Sequence, residues 1–89
     1  MILAIDIGTT SAKAGLFSDD GRCAKSMTAP LPRAAASEDA ASEVEPAAWL
    51  AAARELAADL LAGADRPDCL VLSGNGPTIA AVDRGGRPL

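Results

Sequence analysis

Apolar runs separated by turn residues predict that the chain opens with short β-strands. Met1–Ile7 is a nearly continuous apolar run rich in β-branched residues, the pattern of a strand buried on both faces. Gly8–Ser11 interrupts it with turn-forming residues, and Ala12–Phe17 predicts a second strand. The Asp-Gly step within Ser18–Gly21 is a strong hairpin signal, so Arg22–Thr28 is predicted to return as a third strand. The opening therefore predicts a three-stranded antiparallel meander.

A segment built from Pro, Ala, Ser and acidic residues follows at 29–45. Its prolines Pro30 and Pro32 oppose both helix formation and ladder pairing. Because the segment is longer than most connections between elements, we expect an exposed excursion there.

The clearest helix is predicted over Pro46–Ala62. Proline suits the first helical position, and Gly63 suits the residue just past the end. An apolar stripe recurs at helical spacing and consists of Trp49, Ala53, Leu56 and Leu60, widened by Leu50, Ala57 and Leu61. The stripe predicts a helix packed on a sheet, with Trp49 in the core and not in contact with a ligand.

The last part of the chain predicts a buried strand followed by loop residues. Cys69–Leu72 is wholly apolar, and its place after a long helix indicates a crossover to a parallel neighbour. Ser73–Pro77 follows at the carboxyl end of that strand, where open α/β sheets place ligands. Thr78–Val82 and the Asp83–Gly86 turn predict a terminal hairpin.

Composition indicates a single, incomplete α/β domain over residues 1–89. Apolar residues make up 49% of the chain, but nearly half of them are alanine, which buries little area, and the only aromatic residues are Phe17 and Trp49. One helix cannot cover both faces of an α/β sheet. We therefore expect the chain to be weakly stable or prone to aggregate when it is expressed alone.

Charge and motif content exclude several classes of protein. The net charge of −4 and the scarcity of aromatic residues argue against a nucleic-acid partner. No apolar run approaches the roughly 20 residues of a membrane span. The start of the chain lacks the pattern of a signal peptide, so a cytoplasmic location is expected. Cys23 and Cys69, without histidine, cannot form a zinc site, and both are predicted to be small buried residues.

Asp6 is the first residue that suggests chemistry, because an acid within an apolar strand carries a desolvation cost unless it has a partner. Lys13 lies two residues beyond the turn, and the turn itself consists of Gly8, Thr9, Thr10 and Ser11. A carboxylate, an amide-rich turn and a lysine are what a magnesium–nucleotide phosphate site requires. The alternative is a hairpin in which Asp6 only caps its own turn. The turn leads into a strand and lacks both common glycine-rich phosphate patterns, so a nucleotide would be held by a hairpin.

Four stretches of the chain carry a resemblance to a known family: Ile5–Lys13 with the following Phe17 and Asp19–Gly21, then Glu43–Trp49, Leu72–Thr78 and Val82–Leu89. The first stretch resembles the first phosphate-binding segment of the superfamily that contains actin, chaperone ATPases and sugar kinases. The four in order resemble the FGGY carbohydrate kinases, the family of xylulokinase, gluconokinase and glycerol kinase. The resemblance covers nearly the whole chain.

The resemblance implies a partial ribonuclease H-like (actin-like ATPase) fold, ATP and Mg²⁺ as cofactors, and a sugar or polyol as substrate. It implies that Asp6 helps to position Mg²⁺ and the transferring phosphate. The nucleotide phosphates would be contacted by Gly8, Thr9, Thr10, Ser11 and Lys13. The sugar pocket would be lined by Gly74, Asn75, Gly76, Pro77 and Thr78.

Two departures from the family pattern limit what the resemblance implies. Xylulokinases typically carry a Met-His pair where this chain has Gly76-Pro77, which argues against a xylulose substrate. Family members are several times longer, and their catalytic aspartate lies well downstream. We assign no catalytic base here, since Asp83 has the sequence context of a solvated turn. The chain is thus expected to act with the remainder of a kinase and to be inactive alone.

A second interpretation is a non-catalytic, actin-like module that binds ATP or a protein partner. The first phosphate-binding motif also occurs in such proteins. The acid–Pro–Trp segment ending at Trp49 and the loop Ser73–Thr78 favour the sugar kinases instead.

Overall fold

The protein folds into a four-stranded mixed sheet with one helix packed on one face, as seen in a computed structural model that describes residues 1–32, 45–76 and 79–89. The elements in chain order are β1 (Ile2–Ile7), β2 (Ser11–Phe17), β3 (Cys23–Pro30), α1 (Pro46–Leu61) and β4 (Cys69–Gly74). The strands lie in the spatial order β3-β2-β1-β4.

The strand pairing confirms the predicted meander and crossover. β1 pairs antiparallel with β2, and β2 pairs antiparallel with β3, with a register shift between Leu16 and Phe17. β4 pairs in parallel with β1, so α1 is the crossover that returns the chain to the other side of β1. The architecture is the α/β arrangement that the sequence predicts.

The helix begins and ends within one residue of its predicted limits. Glu45 is the N-cap residue and accepts a bond from the Ala48 amide at 2.9 Å, while Pro46 occupies the first turn, where its missing N–H costs nothing. At the other end Gly63 adopts a φ of 71°, a conformation that favours glycine.

The core lies between α1 and one face of the first three strands. Strand alternation places one set of side chains toward the helix, and the buried set comprises Leu3, Ile5, Ala12, Ala14, Leu16, Leu31, Ala52, Leu56 and Leu60. Trp49 is partly buried against this cluster, as predicted. The prediction for Leu50 was wrong, because that side chain is 54% exposed. Ala52 takes the buried place, and two residues correspond to a rotation of about 200° around the helix.

β1 and β4 are less buried than their apolar sequences predict. Only alternate residues of β1 face the helix, and Asp6 on the other face is exposed. All of β4 is exposed, because it lies at the sheet edge and α1 packs against β1, β2 and β3. The prediction of two buried cysteines was also wrong, since Cys23 and Cys69 are both exposed and unpaired.

The two remaining segments are a connection and a terminal hairpin. β3 continues to Pro30, two residues past its predicted end, and the Leu31 amide donates to the Thr10 carbonyl at 2.9 Å. A proline is tolerated there because β3 is an edge strand. Most of the predicted excursion at 29–45 lies outside the described residues. The terminal hairpin is present as a bridge between Val82 and Pro88.

No helix in the described part of the chain is long and apolar enough to cross a membrane.

Candidate functional site

The segments predicted to bind phosphate and sugar meet at one end of the sheet. The parallel register of β1 and β4 places Asp6 beside Ser73 and Ile7 beside Gly74. The turn after β1 and the loop after β4 therefore leave the sheet side by side. Open α/β sheets hold ligands at this end, beyond the carboxyl ends of the parallel strands.

The turn after β1 is closed by its own backbone. The Gly8 amide donates to the Ser11 carbonyl at 2.8 Å. A Cβ atom added at Gly8 would lie 2.8 Å from that same oxygen, which is closer than packing allows. A second backbone bond, from the Leu31 amide to the Thr10 carbonyl, fixes the turn to the end of β3. The position requires glycine because no room remains for a side chain.

Thr9 and Thr10 form the exposed tip of this turn. Within residues 1–32, 45–76 and 79–89, no acceptor is bonded to the amide of either threonine. Two successive free amides beside hydroxyl groups can bind an anion such as a phosphate oxygen. The turn thus offers the donors that the sequence predicts.

Asp6 and Lys13 lie directly opposite one another on β1 and β2. Both are exposed on the face away from α1, and Ser73 of β4 lies on the other side of Asp6. These three residues line a shallow depression of about 300 Å³. Among the described residues, no ion pair joins Asp6 to Lys13. Both charges are therefore available to a ligand, and the desolvation of Asp6 expected from the sequence does not occur.

A larger cleft of about 620 Å³ lies at the same end of the sheet, on the face that carries α1. Its floor is formed by the turn and the loop together, through Gly8, Thr9, Ser73, Gly74 and Asn75. Its walls come from the start of α1 and from the terminal hairpin: Glu45, Pro46, Trp49, Ile79, Ala80, Ala81, Pro88 and Leu89. Trp49 thus packs on the core and also lines the cleft.

The predicted site residues fall into two groups. Gly8, Thr9, Gly74 and Asn75 line the larger cleft, whereas Asp6 and Lys13 line the depression. Thr10, Ser11 and Gly76 line neither of these, and Pro77 and Thr78 lie outside the described residues. Ser73 lines both, but the sequence did not assign it a contact with nucleotide or sugar, because its place beside Asp6 depends on the register of a parallel pair.

The loop after β4 is bonded to the strand and turn beside it. The Asn75 backbone amide donates to the Ile7 carbonyl at 2.9 Å, extending the contact between the two strands by one residue. The side-chain Nδ2 of Asn75 donates to Oγ1 of Thr9 at 2.8 Å. A residue predicted for sugar binding thereby touches one predicted for nucleotide binding.

The residues at this edge fit a metal held mainly by a nucleotide. In the part of the chain that the structure describes, no three metal-ligating side chains cluster together. Mg²⁺ commonly uses one or two carboxylates and takes its other ligands from phosphates and water. Asp6, exposed beside a turn with free amides, meets that requirement.

Comparison with solved structures identifies relatives of this fold. Gluconate kinase from Lactobacillus acidophilus and ligand-bound xylulose kinase from the same organism each superpose with a TM-score of 0.87 at 22% identity. In each case the match covers 99% of this chain and 18% of the other. Xylulose kinase from Rhodospirillum rubrum gives a TM-score of 0.85 at 27% identity, over 98% of this chain and 18% of that one.

The shared fold confirms the predicted partial ribonuclease H-like (actin-like ATPase) architecture, and the chain spans 18% of the length of each of these proteins. A search of curated proteins gave no significant match. The sequence profile of the N-terminal domain of the FGGY family of carbohydrate kinases matches residues 1–89. The chain therefore belongs to the FGGY family of carbohydrate kinases, within its N-terminal domain.

Proposed function

We propose that these residues form the first part of an ATP-dependent kinase that phosphorylates a hydroxyl group of a sugar or polyol. The observation that carries the proposal is the convergence of the Gly8–Ser11 turn and the Gly74–Asn75 loop, which are joined by the hydrogen bond from Asn75 to Thr9. A phosphoryl-transfer enzyme must hold its donor and acceptor close together, and adjacent loops at one sheet edge suit that task.

In this proposal the nucleotide phosphates bind the turn after β1. The amides and hydroxyls of Gly8, Thr9, Thr10 and Ser11 would donate to phosphate oxygens, and Lys13 would supply a positive charge. Asp6 would hold hydrated Mg²⁺. When bound, the metal neutralises charge on the phosphates. The support for this arrangement is the exposure of Asp6 and Lys13 side by side on neighbouring strands.

The sugar or polyol would bind the loop after β4, at residues 74–78. Gly74 and Asn75 line the larger cleft beside Thr9, which supports this assignment. The Gly76-Pro77 step offers no side-chain hydrogen-bond donor, whereas the histidine of the Met-His pair typical of xylulokinases offers one. We therefore expect a substrate other than xylulose.

The catalytic base is not among the described residues in this proposal. General-base catalysis needs a carboxylate within reach of the attacking hydroxyl. Asp83 is the acid that follows the loop after β4 in the sequence. Its Oδ1 accepts hydrogen bonds from the Gly85 and Arg87 amides within the terminal hairpin. The base, and the rest of the nucleotide pocket, would belong to parts of the kinase outside residues 1–89. Because ATP is the phosphoryl donor, the activity is proposed to be cytoplasmic.

The test is ATP-dependent phosphorylation of a panel of sugars and polyols by the native full-length polypeptide. We expect one class of hydroxylated substrate to be phosphorylated in a Mg²⁺-dependent manner. Asp6→Asn keeps the size of the side chain but removes its charge, and is expected to lower kcat by about 100-fold or more. Asp59→Asn on the exposed side of α1 makes the same chemical change away from the site and should leave kcat unchanged.

Two results would contradict the proposal. If the protein hydrolyses ATP at a rate that no sugar or polyol changes, the non-catalytic actin-like module becomes the better interpretation. If Asp6→Asn and Asp59→Asn have the same kcat as the wild type, the turn after β1 is not the nucleotide site.

A further inference from the structure

Asn75 connects the loop after β4 to the turn after β1 through a side-chain hydrogen bond to Thr9. We propose that Asn75 is a positioning residue that orients the Thr9 hydroxyl toward the nucleotide and couples the two loops. The inference rests on the proposed function, because it assigns a role to a contact within that site.

The chemistry of the pair fixes the direction in which Thr9 can donate. The Nδ2 group of Asn75 has only donor hydrogens, so Oγ1 of Thr9 is the acceptor of the 2.8 Å bond. A hydroxyl group carries one hydrogen of its own, and that hydrogen remains free to donate elsewhere. A phosphate oxygen can only accept. The bond from Asn75 therefore leaves Thr9 as a donor suited to a phosphate.

The backbone of Asn75 makes this contact a mechanical link. Its amide is bonded to the Ile7 carbonyl, so the residue continues the pairing of β1 with β4 and its position is set by the sheet. The side chain then spans from the end of β4 to the tip of the turn, and both Thr9 and Asn75 line the larger cleft. A sugar that shifts the loop would change the orientation of Thr9, and a nucleotide that orders Thr9 would hold Asn75. Coupling of this kind is reciprocal by thermodynamic necessity.

The experiment measures the affinity of the native full-length protein for a non-hydrolysable ATP analogue with Mg²⁺, by calorimetry, with and without the sugar that it phosphorylates. Asn75→Ala removes the donor and is expected to weaken analogue binding by about three- to tenfold, the usual range for one hydrogen bond. Asn75→Asp should weaken it further, because a carboxylate would accept the Thr9 hydrogen and repel phosphate. Enhancement of nucleotide binding by the sugar should fall in both variants.

A double-mutant cycle separates positioning from a direct contact with the nucleotide. Thr9→Val removes the hydroxyl with little change in volume, and Asn75→Ala should add no further loss in that background. Thr10→Val makes the same change in the same turn without a bond to Asn75. Its effect should add to that of Asn75→Ala. Thermal unfolding of each variant checks that the loss in affinity does not come from loss of fold.

The outcomes distinguish this inference from the proposed function. Additive effects of Asn75→Ala and Thr9→Val, or unchanged analogue affinity in Asn75→Ala, would overturn the inference while the kinase activity stands. A wild-type protein that binds no nucleotide would overturn both together. Non-additive loss confined to the Thr9 pair, with reduced enhancement by sugar, is the result that we expect.

Discussion

At the scale of single residues, Gly8 is required by space and not by backbone conformation. Its φ is not in the left-handed region, but a Cβ there would lie 2.8 Å from the Ser11 carbonyl that its own amide binds. Alanine could be accommodated only if the turn opened and that bond lengthened. The predicted phosphate turn therefore depends on this one position.

We predict that Gly8→Ala destabilises the protein by about 1–3 kcal/mol, the usual cost of forcing extra atoms into a filled space. It should also weaken binding of an ATP analogue. Denaturant unfolding and calorimetry measure the two effects. Gly74→Ala is the control at the same sheet edge, because its nearest atom, the Ile7 carbonyl oxygen, would be 3.8 Å away. Equal stability losses in the two variants would contradict the crowding argument.

The amino terminus forms a second residue-scale feature, at the opposite end of β1. The α-amino group of Met1 donates to Asp68 at 2.8 Å and to Asp19 at 3.3 Å. The hydrogen bond that this amine donates to the Asp68 carboxylate raises the pKa of the amine, and the same bond lowers the pKa of Asp68. The pair ties the start of β1 to the residue before β4.

These shifts define the pH range in which the pair stabilises the fold. Because the pKa of the amine is raised in the folded state, the contribution of the amine to stability is complete below about pH 8. That contribution is lost as the pH rises through the pKa of the amine in the folded state. Because the pKa of Asp68 is lowered, its contribution is complete above about pH 4 and is lost as pH falls through the folded value. The pair therefore acts between these limits.

We predict that Asp68→Asn lowers the unfolding temperature slightly at about pH 6, and that the difference from wild type narrows at about pH 10 as the amine loses its proton. Thermal unfolding at both pH values measures this change. Asp65→Asn is the control, since Asp65 has no ion pair among the described residues. A difference that is the same at both pH values would exclude the ion pair as its cause.

At the scale of elements, α1 holds the sheet through one row of side chains at a spacing of four residues. Ala52, Leu56 and Leu60 are buried against β1, β2 and β3, while Leu50 projects from the other side of the helix. The same residue type therefore occurs on the buried and exposed faces of one helix. Comparing a buried with an exposed leucine of α1 therefore separates the effect of burial on stability from the effect of helix propensity.

We predict that Leu56→Ala lowers the free energy of unfolding by about 2–5 kcal/mol, through lost burial and the cavity that remains. Leu50→Ala introduces the same change on the exposed face and should alter it by no more than about 0.5 kcal/mol. Chemical denaturation of both variants makes the comparison. Similar losses in the two would mean that α1 packs through a different face.

Local patterns were sufficient to predict the elements, but not which faces of them are covered. The hairpin step at Asp20-Gly21 and the Pro46 start of α1 are local signals, and both lie where predicted. The exposure of Asp6 and Cys69 was missed because an apolar run does not reveal whether a second layer packs on a strand. The contact between Thr9 and Asn75 joins residues 66 positions apart, and it arises only once β4 pairs in parallel with β1.

At the scale of the whole molecule, β4 is an exposed strand at the edge of the described sheet. It is an edge strand, so one row of its backbone groups has no partner strand among the described residues. Leu70 and Leu72, on one face of it, are 55% and 65% exposed, because α1 does not extend over β4. An apolar edge strand of this kind pairs readily with another chain.

We predict that the 89-residue chain, prepared alone, self-associates through β4. Leu72→Lys places a charge on the exposed face of the edge strand and should weaken association roughly tenfold or more, because a buried leucine contact is replaced by a charge that must stay hydrated. Analytical ultracentrifugation over a concentration series measures the change.

Ile79→Lys is the matched control, because Ile79 is 91% exposed and lies outside the sheet. If Ile79→Lys reduced association as much as Leu72→Lys, net charge would be the cause and β4 would not be the contact. If only Leu72→Lys reduces association, the apolar face of β4 is the contact surface, and another part of the protein must pack on it to keep this part of the kinase from associating.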